Sequence, residues 1–125
     1  MRNENWLRRL ANRGTINSLS GKKVIRQDVM LLDSLHAKRD AIESARKEFG
    51  ARRIRVFGSV ARGEERLDSD VDFLVDFPRG YDLFGQRLPL TERLAEITGR
   101  RPDVIPEHEL NPHLREAILK EAVDL

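Results

Sequence analysis

The sequence predicts a small α+β domain, α/β-like in the way helices and strands alternate. Three observations carry that reading. Three stretches repeat apolar residues at the helical period, and three shorter ones are dense in Val, Ile and Phe. Gly or Pro stands at nearly every boundary between them. The length, 125 residues, is that of one compact domain.

The elements follow in order. From Asp28 to Phe49, Leu32, Leu35, Ile42, Ala45 and Phe49 recur at steps of three, four and seven, which predicts one helix. Gly50 stands where a helix-ending glycine belongs. Arg53-Ile54-Arg55-Val56-Phe57 alternates and stops at Gly58, as a strand does. Val60-Ala61-Arg62 opens a short helical turn, and Val71–Val75 is a second strand. Residues 81–98 read as helical through Leu83, Leu90, Leu94 and Ile97, with a break or kink at Pro89 and an end at Gly99. Pro102–Ile105 is a third strand, stopped by Pro106. A last helix starts with Asn111 as N-cap and Pro112 behind it, and carries Leu114, Ala117, Ile118 and Val123 on its apolar side.

Composition narrows the function classes. There is no cysteine, which excludes disulfide scaffolds, thiol catalysis and cysteine-ligated zinc. No apolar run approaches the roughly 20 residues that span a bilayer. Residues 1–20 lack the apolar core of a signal peptide, so a soluble cytoplasmic protein is expected. The net charge of +2 hides an asymmetry. Residues 1–27 carry seven Lys and Arg against Glu4 alone, whereas residues 28–125 carry 16 basic and 20 acidic groups. The chain therefore divides into a basic N-terminal extension, 1–27, and a domain, 28–125. Trp6, Leu7 and Leu10 would line a short helix in the extension, and its charge would suit contact with DNA or an acidic partner.

The stretch from Phe57 to Val75 carries the chemistry. Asp70 and Asp72 are two apart in a strand-like run, so both leave the same face. Their Cα atoms would lie about 6.5 Å apart. Like charges held so close call for a neutralising partner, and a hard divalent cation such as Mg²⁺ supplies it. Gly58 and Ser59 close the preceding strand ahead of a helical turn. Such a turn offers backbone N–H groups to a phosphate, glycine lets it approach, and the serine hydroxyl adds a donor. Arg62 would add positive charge there, or pair with Glu64, Glu65 or Asp68 as a surface salt bridge. Chemistry of this kind often uses two metal ions, which need a third carboxylate on an adjacent strand. Asp103 is the candidate, to ligate metal and to accept or steer the nucleophile's proton. Glu64, Glu65 and Asp68 read as solvated loop residues. His36, His108 and His113 have no metal-ligand spacing. Arg101 and His108 match the Arg-to-His spacing of HEPN toxins only formally, because Pro102 and Pro106 interrupt any helix there.

Gly58-Ser59, then ten residues, then Asp70-x-Asp72 resembles the DNA polymerase β-like nucleotidyltransferases. The fuller strings G-S-V-A-R-G-E and D-S-D-V-D-F-L-V are similar to the minimal nucleotidyltransferase (MNT) group, as is the stretch R-P-D-V-I-P-E-H-E-L-N-P-H-L-R-E-A-I-L-K-E-A-V. The likeness covers residues 30–125. It implies a small mixed sheet flanked by helices, ATP as substrate and Mg²⁺ as cofactor, with two ions. Gly58 and Ser59 would then hold phosphates, Asp70 and Asp72 metal, and Asp103 would be the third carboxylate. The resemblance further implies an antitoxin that transfers AMP to a tyrosine of a HEPN ribonuclease toxin. One domain's worth of residues agrees, since the acceptor would come from another protein. Two rivals share these residues: an antitoxin acting by binding alone, and a transferase for a small molecule such as an aminoglycoside.

Overall fold

A computed structural model describes residues 31–125. The basic extension, with its expected helix and DNA contact, lies outside the described residues, as do Asp28–Met30.

Where one helix was expected up to Phe49, there are two: α1, Leu31–Ala37, and α2, Arg39–Glu48. The break is at Lys38, whose N–H turns back to Leu35 O at 3.0 Å. Neither Gly nor Pro marks it, and apolar spacing carries on across it. Leu35, Ile42 and Ala45 are buried as predicted, and Gly50 has the positive φ of a helix terminator. Strand β1 is Arg53–Phe57, and the helical turn α3 is Ser59–Arg62. Strand β2, Val71–Asp76, runs one residue beyond expectation.

Residues 81–98 divide at the predicted trouble spot. A π-helical turn, Leu83–Arg87, leads into α4, Leu88–Thr98. Pro89 falls in the first turn of α4, where its missing N–H costs nothing, and Gly99 ends the helix in a left-handed conformation. Leu83, Phe84 and Leu88 stay exposed, while Leu90 and Leu94 are buried. Strand β3 is Pro102–Pro106, and α5 is Pro112–Glu121. The Asn111 side chain accepts the His113 N–H at 2.8 Å, as an N-cap should. Two expectations for this helix fail: Ala117 is exposed, and Val123 leaves the helix to form β4, Val123–Asp124. Pairing with β1 outweighs one more helical turn, because Val56 and Arg55 otherwise face an open sheet edge.

The sheet is mixed, in the order β3-β2-β1-β4. β1 runs antiparallel to β2 and β4, and β2 parallel to β3. One face carries Ile54, Val56, Val71, Phe73, Val75 and Val104 under α1, α2 and α4. The other carries Phe57, Leu74 and Ile105, closed by Leu110 and by Ile118 of α5. No helix among the described residues is long and apolar enough to cross a membrane.

Candidate active site

Strand register places the carboxylates. Asp72 lies opposite Phe57 of β1 on one side and opposite Asp103 of β3 on the other. Cross-strand partners point to one face, so Asp72 and Asp103 stand side by side, with strands about 4.8 Å apart. Asp70 shares their parity just ahead of β2. The mixed pairing thus gathers the end of β1 and the starts of β2 and β3 at one corner of the sheet. Asp72 is 2% exposed, and Asp70 and Asp103 are partly open to solvent.

The turn after β1 faces the same corner. Gly58 has φ 78° and ψ −154°, a conformation that side chains resist. A Cβ there would fall on the Asp72 carboxylate. Glycine at 58 is therefore required twice, by backbone and by space. Ser59 begins α3 directly after Gly58, the residue whose backbone abuts the Asp72 carboxylate. Gly63 closes α3 in a left-handed conformation.

The cations of the corner are already engaged. Arg62 Nη1 donates to Glu121 Oε1 at 2.8 Å and Nε to Glu64 Oε1 at 2.9 Å. Burial works against its charge, but those two bonds outweigh it and raise the guanidinium pKa further. The surface-pair reading of Arg62 thus holds for Glu64, and Glu121 joins it. Arg101 Nε lies 3.6 Å from Asp70 Oδ1, and Arg101 O accepts the Val71 N–H at 3.0 Å. Arg100 donates to Arg66 O at 3.0 Å and Ser69 O at 3.1 Å, which ties down the loop that delivers Asp70.

Sequence reasoning missed three of these residues. Arg101 becomes visible only once β2 and β3 are paired, and Arg100 only once the loop is seen beneath it. Glu121 comes from the far end of the chain: its Oε2 accepts the Gly58 N–H at 2.7 Å. A fourth residue was misread. Glu65 is buried, not solvated, and its Oε2 accepts the Leu31 N–H at 2.9 Å.

The donor set fits a hard cation. It is made of carboxylate oxygens, and two of its members sit on paired strands. Among the described residues no group of three or more His, Cys, Asp and Glu side chains is arranged to hold a metal ion. Mg²⁺ in phosphate chemistry takes one or two carboxylates and completes its shell with water and substrate phosphates.

The nucleotidyltransferase domain family matches residues 38–125, which include this corner entire. The chain belongs to that family. Among the nucleotidyltransferase's relatives is the protein adenylyltransferase MntA of Thermococcus cleftensis, 41% identical over 78 residues, 62% of this chain and 78% of that one. MJ0435 of Methanocaldococcus jannaschii, provisionally named a protein adenylyltransferase, is 40% identical over 76 residues, 61% of this chain and 81% of its own. A solved structure of a protein provisionally named a minimal nucleotidyltransferase is 47% identical, covers 75% of this chain and 95% of its own, and superposes with a TM-score of 0.67. A toxin–antitoxin crystal structure with AMP-PNP shares the fold at a TM-score of 0.59 and 19% identity, over 69% of this chain and 70% of its own. The protein is a nucleotidyltransferase of the polymerase β-like fold, as its sequence resemblance implies.

Proposed function

We propose that this nucleotidyltransferase transfers AMP from ATP, with Mg²⁺, to a tyrosine hydroxyl of a HEPN ribonuclease toxin, and so acts as that toxin's antitoxin. The observation that carries the reading is the register of Asp72 with Asp103 on one face, beside the Gly58–Ser59 turn. The names of relatives at 41% and 40% identity support AMP as the group and a protein as the acceptor.

The acceptor oxygen attacks the α-phosphorus in line, a new O–P bond forms, the anhydride bond to the β-phosphate breaks, and pyrophosphate leaves. Asp70, Asp72 and Asp103 would hold the divalent metal, with two ions as the fullest complement. When bound, the metal draws negative charge off the phosphate oxygens. Ser59 and the first amides of α3 orient the triphosphate. Asp103 receives the proton of the attacking hydroxyl. Positioning and charge neutralisation supply most of the acceleration, as is usual when phosphorus is attacked.

Co-expression with the product of the adjacent gene, followed by intact-mass spectrometry of that product, tests the proposal. The expected result is a gain of one or more AMP units with wild type and none with the Asp70→Asn/Asp72→Asn double variant. Chelation with EDTA should stop transfer in purified enzyme, and added Mg²⁺ should restore it. Co-purification of both proteins with no gain in mass would replace the proposal with neutralisation by binding. No gain and no complex would redirect it to a small-molecule acceptor.

A further inference from the structure

Glu121 ends α5 and belongs to none of the elements that mark the site in the sequence. Its carboxylate is divided between two groups of the corner. Oε2 takes the Gly58 N–H and Oε1 takes the Arg62 guanidinium, at 2.7 and 2.8 Å. The Glu121 and Arg62 side chains are only 13% and 17% exposed. Charge-assisted bonds at that depth are short, strong and poorly screened.

Both partners need an external fix. Gly58 lacks a side chain, and its backbone has access to more conformations than any other residue, so Phe57-Gly58-Ser59 alone does not aim the amides that open α3. Arg62 has a long flexible stem. Its other partner, Glu64, is about half exposed and only two residues away, so that pair contributes little order. Glu121, in contrast, is placed from both sides. Ile118, three residues earlier, is buried against the sheet, and Val123, two residues later, pairs with Val56.

We infer that Glu121 is a positioning residue for the phosphate-binding turn. It holds the Gly58 peptide and the Arg62 guanidinium in the arrangement that receives the triphosphate, and it keeps the Gly58 N–H while nucleotide is bound. The inference rests on the nucleotide reading given above. It also reassigns Gly58: its contribution is room beside Asp72 and a backbone that Glu121 can fix, while phosphate contact falls to Ser59 and the amides after it. The same contacts suit an opposite role, in which the carboxylate occupies the place of a phosphate and must leave before nucleotide enters. The two roles differ in sign.

The test uses α,β-methylene ATP with Mg²⁺, an analogue that cannot release pyrophosphate. In isotopically labelled wild type, amide hydrogen exchange at Gly58 is expected to be slow and to become no faster when the analogue binds. Glu121→Gln keeps the shape but can accept only one of the two donors. It is expected to bind the analogue at least about tenfold more weakly, the loss of one charged hydrogen bond. The loss should appear in KM for ATP more than in kcat, with a melting temperature within a few degrees of wild type. Faster exchange at Gly58 on binding, or a Glu121→Gln variant that binds as well as wild type or better, overturns the positioning role. Should that variant not fold, the exchange measurement on wild type decides alone. Wild type that does not bind the analogue overturns the nucleotide reading as well, and no substitution is involved in that outcome.

Discussion

The two faces of the sheet are built from the same strands and treated differently. Under α1, α2 and α4, β2 contributes Val71, Phe73 and Val75 to the larger apolar cluster. Under α5, the same strand contributes Asp72, Leu74 and Asp76. There Leu74 packs with Phe57, Ile105 and Ile118, while each end of the strand is charged. Asp76 pairs with Arg52 at 3.1 Å at one end, and Asp72 meets Asp103 at the other. Arg55 is buried on this face as well, with Nη2 on Glu107 at 2.6 Å and Nε without a hydrogen bond among the described residues. One face is devoted to holding the chain together. The other accepts weaker packing so that carboxylates can be held at fixed places, a division seen wherever active sites trade stability for chemistry.

Substitutions can break or sharpen that contrast. The largest effect is expected at Phe73→Ala, which should cost about 3–5 kcal/mol in denaturant unfolding. Its neighbour Leu74→Ala should cost less, about 2–3 kcal/mol, because α5 alone has to settle onto the gap. Equal losses would mean that the faces carry equal weight. The Asp70→Asn/Asp72→Asn double variant should reverse the pattern. Pyrophosphate release should fall by about a hundredfold or more, as when groups that meet developing charge are removed. Its unfolding midpoint should stay level or rise, since crowded negative charge is relieved. Arg55→Met should cost about 1–2 kcal/mol by removing the nearest cation from Glu107, and adding Glu107→Leu should recover most of it.

The smallest effect concerns pH. Arg53 hydrogen-bonds Asp124 at 3.0 and 2.6 Å and holds its carboxyl below the ordinary value. The pair therefore stabilises the fold above the unfolded-state pKa of Asp124, and the gain disappears as pH falls through the lower folded-state value. With the side chains 51% and 60% exposed, the difference from Asp124→Asn should be under about 1 kcal/mol at pH 7. It should vanish toward pH 2 or in 1 M salt, as urea titrations would record.

Much of the corner was legible because its signals are local. The parity of Asp70 and Asp72, the glycine after β1 and the strand around Asp103 each need only a few neighbouring residues, and register then joined them. What stayed hidden was carried by distance or by competition between elements. Val123 sits four residues after Leu119, a helical spacing, and a two-residue strand has no alternation to betray it. Glu65 lies among charged neighbours, and its burial and its contact with the Leu31 amide separate it from them. Glu121 reaches Gly58 across 63 positions, and no local pattern marks such a contact.

The two spacings that define the corner differ in rigidity. A residue inserted between Asp70 and Asp72 would rotate one carboxylate through the sheet, into the layer that Val71 and Phe73 fill. A residue inserted between Leu67 and Asp68 would enlarge an exposed turn, closed by the Ser69 N–H on Arg66 O at 3.1 Å, whose downstream end Arg100 fastens at Ser69 O. The interval of one residue is therefore set by the pleat of a strand. The interval of ten between Ser59 and Asp70 passes through α3 and the buried Glu65 before it reaches an exposed turn, and only that turn has room that a strand lacks.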